Sequence, residues 1–132
     1  MPDRDEGPAG LARAAPDVAA LAARYADDAD ATGELHPDVV AAILEAGFAR
    51  HFVPRYLGGS AGTFGELSGA VAVLGEKCAA TAWSASVLAS LSRMAAWLPP
   101  QGRAEIWKDG PDVVIVGSVS PRGRGRPPVP RP

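Results

Sequence analysis

The run Val113-Val114-Ile115-Val116-Gly117-Ser118-Val119-Ser120 is the one good β segment of the chain, and Pro121-Arg-Gly-Arg-Gly-Arg-Pro-Pro-Val-Pro-Arg-Pro132 follows it at once. A lone strand cannot satisfy its own backbone N–H and C=O groups. A proline-rich tail offers no second strand to pair with it. The run therefore predicts an orphan strand, and the chain reads as the front of something larger.

Ahead of that run the pattern is helical. Apolar residues make up 47% of the 132, but only 6% are aromatic and much of the rest is alanine. Alanine contributes little area per residue, so the expected core is helix on helix with close backbones. Leu11, Ala14, Val18, Leu21, Ala22 and Tyr25 recur at helical spacing and predict a helix to about Asp28, with a break or restart near Pro16. Asp28 to Glu34 reads as a polar connection. Pro37 suits a first helical position and Gly47 a C-cap, which brackets a second helix. Thr63 with Glu66 forms a capping-box pattern ahead of a third, whose core face is Phe64, Leu67, Val71 and Leu74. A fourth helix is expected from Thr81 to Leu98, and a short fifth from Gln101 to Trp107.

Charge divides the chain in two. Residues 1–120 carry nine Lys/Arg against fifteen Asp/Glu, a net −6, and the last twelve carry four Arg and no acid. The helical part is mildly acidic, so nucleic acid is not an expected partner. Cys78 is the single cysteine, which excludes an internal disulfide framework and a cysteine metal cluster. The polar start Met-Pro-Asp-Arg-Asp-Glu is no secretory signal, and Arg93 and several serines interrupt the longest weakly polar stretch. A cytoplasmic protein without a membrane span is the expectation.

Few residues carry chemistry. Arg55-Tyr-Leu-Gly-Gly-Ser-Ala-Gly62 lacks the spacing of a phosphate-binding loop, so a structural loop is favoured. His36 and His51, the two histidines, lack metal-ligand spacing, and no metal is expected. Cys78 reads as a small buried residue at a helix joint. Trp83, Ser86, Ser90 and Arg93 fall three or four residues apart, on roughly one helical face. Such a face could line a pocket for a planar ligand; it could equally be a tryptophan anchor with serines bonded back to their own helix. Gly117, Ser118 and Ser120 offer backbone N–H and hydroxyl groups where the β segment ends.

Several blocks together resemble the N-terminal region of the acyl-CoA dehydrogenase superfamily, most closely its flavin-dependent monooxygenase branch. They are Leu35-His-Pro-Asp-Val-Val-Ala-Ala-Ile-Leu-Glu-Ala-Gly-Phe48, Phe52-Val-Pro-Arg-Tyr-Leu-Gly-Gly59, Phe64-Gly-Glu-Leu67 and Val73-Leu-Gly-Glu-Lys-Cys-Ala-Ala-Thr-Ala-Trp83. Met94-Ala-Ala-Trp-Leu-Pro99, Glu105-Ile-Trp107 and Val116-Gly-Ser-Val-Ser-Pro-Arg-Gly123 complete the set. Within that branch the chain looks most like the oxygenase component of two-component aromatic polyketide hydroxylases of the actinorhodin-pathway type.

The resemblance implies a fold: an all-α N-terminal domain of about five helices, then a β domain and a C-terminal helical bundle that are missing here. The expected boundaries are a disordered lead at 1–9, the helical domain at 10–110, a first β-domain strand at 111–120 and a disordered basic tail at 121–132. It also implies reduced FMN or FAD delivered by a separate NAD(P)H:flavin reductase, an aromatic substrate, and a homotetramer when full length. Trp83, Gly117, Ser118 and Ser120 would then border the flavin, and Ser86, Ser90 and Ser92 the substrate. Many relatives place a histidine eight or nine residues after the tryptophan; here Leu91-Ser92 stands there, so no catalytic residue is assigned.

With most of the active site absent, the chain alone is expected to be inactive, as a truncated or frameshifted reading of an oxygenase gene would be. An acyl-CoA dehydrogenase-type oxidoreductase using FAD is one alternative. A non-catalytic helical module whose basic, proline-rich tail docks on a protein partner is another.

Overall fold

A computed structural model of the protein describes residues 10–118, 120 and 123–127. Six α-helices and one 3₁₀ turn account for its regular structure. Helix α4 (Phe64–Gly75) lies at the centre, with α1 (Leu11–Arg24) packed on one side and α5 (Ala79–Ala95) on the other. The sequence dictates this through small residues at helical intervals. Leu11, Ala15, Val18 and Ala22 form the buried stripe of α1, Leu67, Ala70 and Leu74 that of α4, and Ala82, Ala85 and Ala89 that of α5. Alanine facing alanine lets helix axes approach closely, and the larger Phe48, Leu74, Val39 and Ile43 fill what space remains. Full burial of Phe48 or Leu74 is worth about 1.5–3 kcal/mol each.

The first helix runs straight through Pro16, and the expected break falls instead at Tyr25, where φ is −114°. Pro16 removes one donor, that for the Ala12 carbonyl, near the start of the helix. Tyr25 stacks on the His36 imidazole, with centroids 3.8 Å apart and planes 12° apart. Most of the expected polar connection is a short helix, α2 (Ala26–Thr32), which Gly33 stops at φ 73°.

Helix α3 (Pro37–Glu45) is capped by a group the sequence pattern did not reveal: His36 Nδ1 accepts the Asp38 N–H at 3.2 Å. Its other end is a Schellman turn. Gly47, at φ 93°, donates to the Leu44 carbonyl, and Phe48 donates to that of Ile43. The turn drives Phe48 into the core. A 3₁₀ turn at Arg55–Leu57 and α6 (Pro100–Ile106) complete the order.

The orphan strand does not form. No β-strand exists among the described residues; Val113 to Ser118 has no regular secondary structure and belongs to no ladder. High β-propensity becomes a strand only when another backbone supplies the hydrogen bonds, and none does so here. Side chains place the segment instead. Val113 and Ile115 are half-buried, whereas Val114 and Val116 are exposed. Asp112 is tied to Arg50 Nε at 3.1 Å. The helical part of the expectation stands, with six helices in place of five. The lead at 1–9, Val119 and most of the basic tail lie outside the described residues, while Gly123 to Pro127 is exposed and without regular structure. No described helix is long and apolar enough to cross a membrane.

Candidate functional site

Helices α3 and α5 and the extended segment enclose a groove of about 360 Å³. Val40, Ile43 and Leu44 come from α3, with Leu35 just ahead of it. Trp83, Val87 and Leu91 on α5 repeat every fourth residue, and Ser84 and Leu88 lie beside them. A helix places such residues in one stripe, so the two rows face each other across the gap. Val114 to Gly117 forms the remaining wall. A side chain at Gly117 would crowd Leu91, its Cβ falling 3.1 Å from Cδ2. Glycine there lets the segment approach the helix closely.

The groove is chemically sparse. Ser84 carries the single hydroxyl among its lining residues, the Trp83 indole N–H is the one other polar side-chain group, and no titratable group lines it. Trp83, 73% exposed, stands at the rim with its indole available to a flat ligand. These residues can hold an aromatic ring, shield one side of it from water and offer it one hydroxyl. They cannot move a proton.

Of the residues expected from sequence, Trp83 and Gly117 meet in this groove. Ser118 and Ser120 are exposed at its end, where the Ser120 N–H donates to Ser118 Oγ at 3.2 Å. Ser86 and Ser90 are half-buried on the flank of α5 away from the groove. Arg93, on that same flank, lies over the ring of Phe64 at 4.8 Å. Ser92 is fully buried on the packed side, its Oγ without a partner among the described residues, as is Thr81 Oγ1. Ser84 was not singled out by sequence. It stands one residue after Trp83, and only the position of α3 shows which neighbour of the tryptophan faces inward.

A second, polar cleft lies at the glycine loop, and its groups serve the fold. His51 is buried, and its Nε2 is 2.9 Å from the Thr63 carbonyl, so that nitrogen carries the proton and donates. A side chain at Gly62 would strike the His51 ring, and one at Gly59 would strike the Val53 backbone. The glycines exist so that this loop can lie flat on its own stem. Thr63 and Glu66 form the full capping box: Thr63 N–H donates to Glu66 Oε2 at 2.6 Å, and the Glu66 N–H to Thr63 Oγ1 at 3.3 Å. The Thr63 N–H, then its hydroxyl, hold the Glu66 carboxyl below its usual range, with His51 assisting weakly. Among the described residues no group of three or more His, Cys, Asp or Glu is placed to hold a metal.

Two curated proteins are similar to this chain. One is the oxygenase component of the FADH(2)-dependent resorcinol hydroxylase of Rhizobium sp. (strain MTP-10005), 34% identical over 82 residues, 62% of this chain and 20% of that protein. The other is the oxygenase component of the p-hydroxyphenylacetate 3-hydroxylase of Acinetobacter baumannii, 28% identical over 102 residues, 77% of this chain and 24% of that protein. The chain thus matches about a fifth to a quarter of the length of these relatives. No family model matches it, and no solved structure does.

Proposed function

We propose, from the homology of this chain to oxygenase components of two-component flavin-dependent aromatic hydroxylases, that it forms the helical wall of such a monooxygenase site. The reaction is hydroxylation of a phenolic ring with reduced flavin and O₂; an aromatic polyketide is the finer reading of the substrate. The observation that carries this is the groove itself. Trp83 and the bare backbone at Gly117 meet there without any acid or base, which suits a protein whose chemistry a cofactor supplies.

The described residues fit one wall of a site shared by flavin and substrate, and no more. Trp83, at the rim, would stand where flavin and aromatic substrate meet, and Gly117, Ser118 and Ser120 would offer hydrogen bonds to the heteroatoms of the flavin. Reduced FMN or FAD, when bound, supplies activation of O₂. The chain's own part is to orient the aromatic ring and exclude water from one face. A separate NAD(P)H:flavin reductase would deliver the flavin. Assembly as a homotetramer would belong to the full-length protein, in the cytoplasm. The exposure of Trp97 (79%), Met94 (59%) and Val116 (85%) leaves a large apolar surface for further protein to cover.

A chimera tests the reading. Residues 10–118 replace the matching segment of the Rhizobium oxygenase component, and product is measured with reductase, flavin and a phenol. Hydroxylation that falls at least tenfold with Trp83→Ala supports it. A folded chimera that binds flavin yet hydroxylates nothing counts against it. Product from the chain alone, above background, would overturn the view that it provides only one wall.

A further inference from the structure

We infer that the groove selects an uncharged, hydroxyl-bearing aromatic ligand, and that Ser84 is the residue that selects it; this rests on reading the groove as the substrate wall. A cavity of about 360 Å³ suits a small aromatic molecule. Its lining carries no cation that could pair with a carboxylate or phosphate, and an unpaired anion loses hydration without compensation on entering. The surroundings reinforce that bias. A neighbouring recess shares Leu35, Trp83 and Ser84 with the groove and is bordered by Glu34, so acidic ligands meet a like charge. The one basic group on the elements that form the groove, Arg93, lies over Phe64, and Arg50, beyond the end of α3, is paired with Asp112. Neither is among the lining residues.

Within that apolar space Ser84 provides one hydroxyl, able to donate and to accept. Trp83 beside it offers a ring face. A phenol satisfies both, its ring against the indole and its O–H against Ser84 Oγ. A purely hydrocarbon ring uses only the first. Ser84 thus acts by positioning the ligand's oxygen, and transfers no proton.

The experiment uses the full chain and a matched set of small probes: para-ethylphenol, para-hydroxybenzoate, tyramine and ethylbenzene. Binding is followed by two-dimensional NMR at the Trp83 indole N–H and the Ser84 and Gly117 amides. Para-ethylphenol is expected to shift all three saturably at about millimolar concentration. Para-hydroxybenzoate should bind at least about tenfold more weakly. Ser84→Ala should weaken para-ethylphenol about two- to tenfold and leave ethylbenzene unchanged. Leu91→Arg, which puts a cation into the lining, should reverse the preference in favour of para-hydroxybenzoate.

Equal binding of the anion, tighter binding of tyramine, or indifference to Ser84→Ala would each overturn the inference. A dispersed wild-type-like spectrum for both variants confirms that they are folded. The two readings fail separately. Phenol binding here with no hydroxylation by the chimera sinks the proposed reaction alone, and hydroxylation without shifts in the groove sinks this inference alone.

Discussion

Two irregular segments of this protein, the glycine loop at 51–63 and the extended stretch at 111–118, are fixed in place by opposite means. In the loop, backbone N–H groups of Gly59, Ser60, Ala61 and Gly62 donate to the carbonyls of Pro54, Arg50, Val53 and His51. The imidazole of His51 then closes it on Thr63. In the stretch, side chains do the holding: Asp112 on Arg50, Pro111 against Gly58, Ile115 half-buried and Gly117 close to Leu91. Arg50 and Gly58 belong to the loop side, so the firmly bonded segment anchors the other. Backbone bonding gives a loop a single shape; side-chain contact alone gives a position with an open edge.

Breaking the loop should cost most. Gly62→Ala pushes a methyl into the His51 ring and should destabilise the fold by about 2–4 kcal/mol in denaturant titration. A loss under about 1 kcal/mol would mean the loop is far less rigid than its bonding suggests. Thr63→Ala removes the cap where the loop becomes α4 and should cost about 1 kcal/mol.

The other half of the box, tested by Glu66→Gln, carries a pH signature. Because the folded Glu66 carboxyl sits below its ordinary value of 4.5, its contribution is complete above that value and fades as pH falls through the lower folded one. Wild type and Glu66→Gln should therefore converge in stability as pH falls below 4.5 and through the lower folded value, where the wild-type carboxyl takes up its proton. A gap that stays constant across that range would refute the role of the carboxylate.

The smallest effect belongs to the extended stretch. Asp112→Asn breaks a half-exposed ion pair and should change stability by no more than about 0.5 kcal/mol. Hydrogen exchange sharpens the contrast further. The amides of residues 59–62 should be protected and those of residues 114–117 should exchange freely. Equal protection in both would erase the distinction drawn between them.

Local rules were the most readable part of the sequence. Thr63 with Glu66, Pro37 and Gly47 each marks a helix end by a short-range requirement, and each end lies within a residue or two of its expected place. Val113–Ser120 misled because the content of a strand lies in its partner, and no pattern within a single segment encodes that. Pro16 misled more mildly, since a proline early in a helix forfeits little. Spacing on α5 put Trp83 on one face with Ser86, Ser90 and Arg93, whereas the row that lines the groove is Trp83, Val87 and Leu91. Which flank of α5 faces α3, and hence Ser84 beside the indole, depends on how two helices roll against each other. That is a property of packing, which spacing within α5 does not contain. His36 capped α3 through Nδ1, a role that the commoner capping residues gave no reason to expect.

The alanine stripes of α1, α4 and α5 carry a consequence for how this sequence can drift. Ala15, Ala85 and Ala89 have no exposed surface and almost nothing left to trim. Mutation there has one common outcome, enlargement, and every enlargement levers two helices apart. Helices moved in that way would also reshape the groove, because its α5 wall is the reverse side of the same cylinder. The protein's most monotonous residues therefore act as a gauge, and lineages that keep the groove's width should be found to keep those alanines.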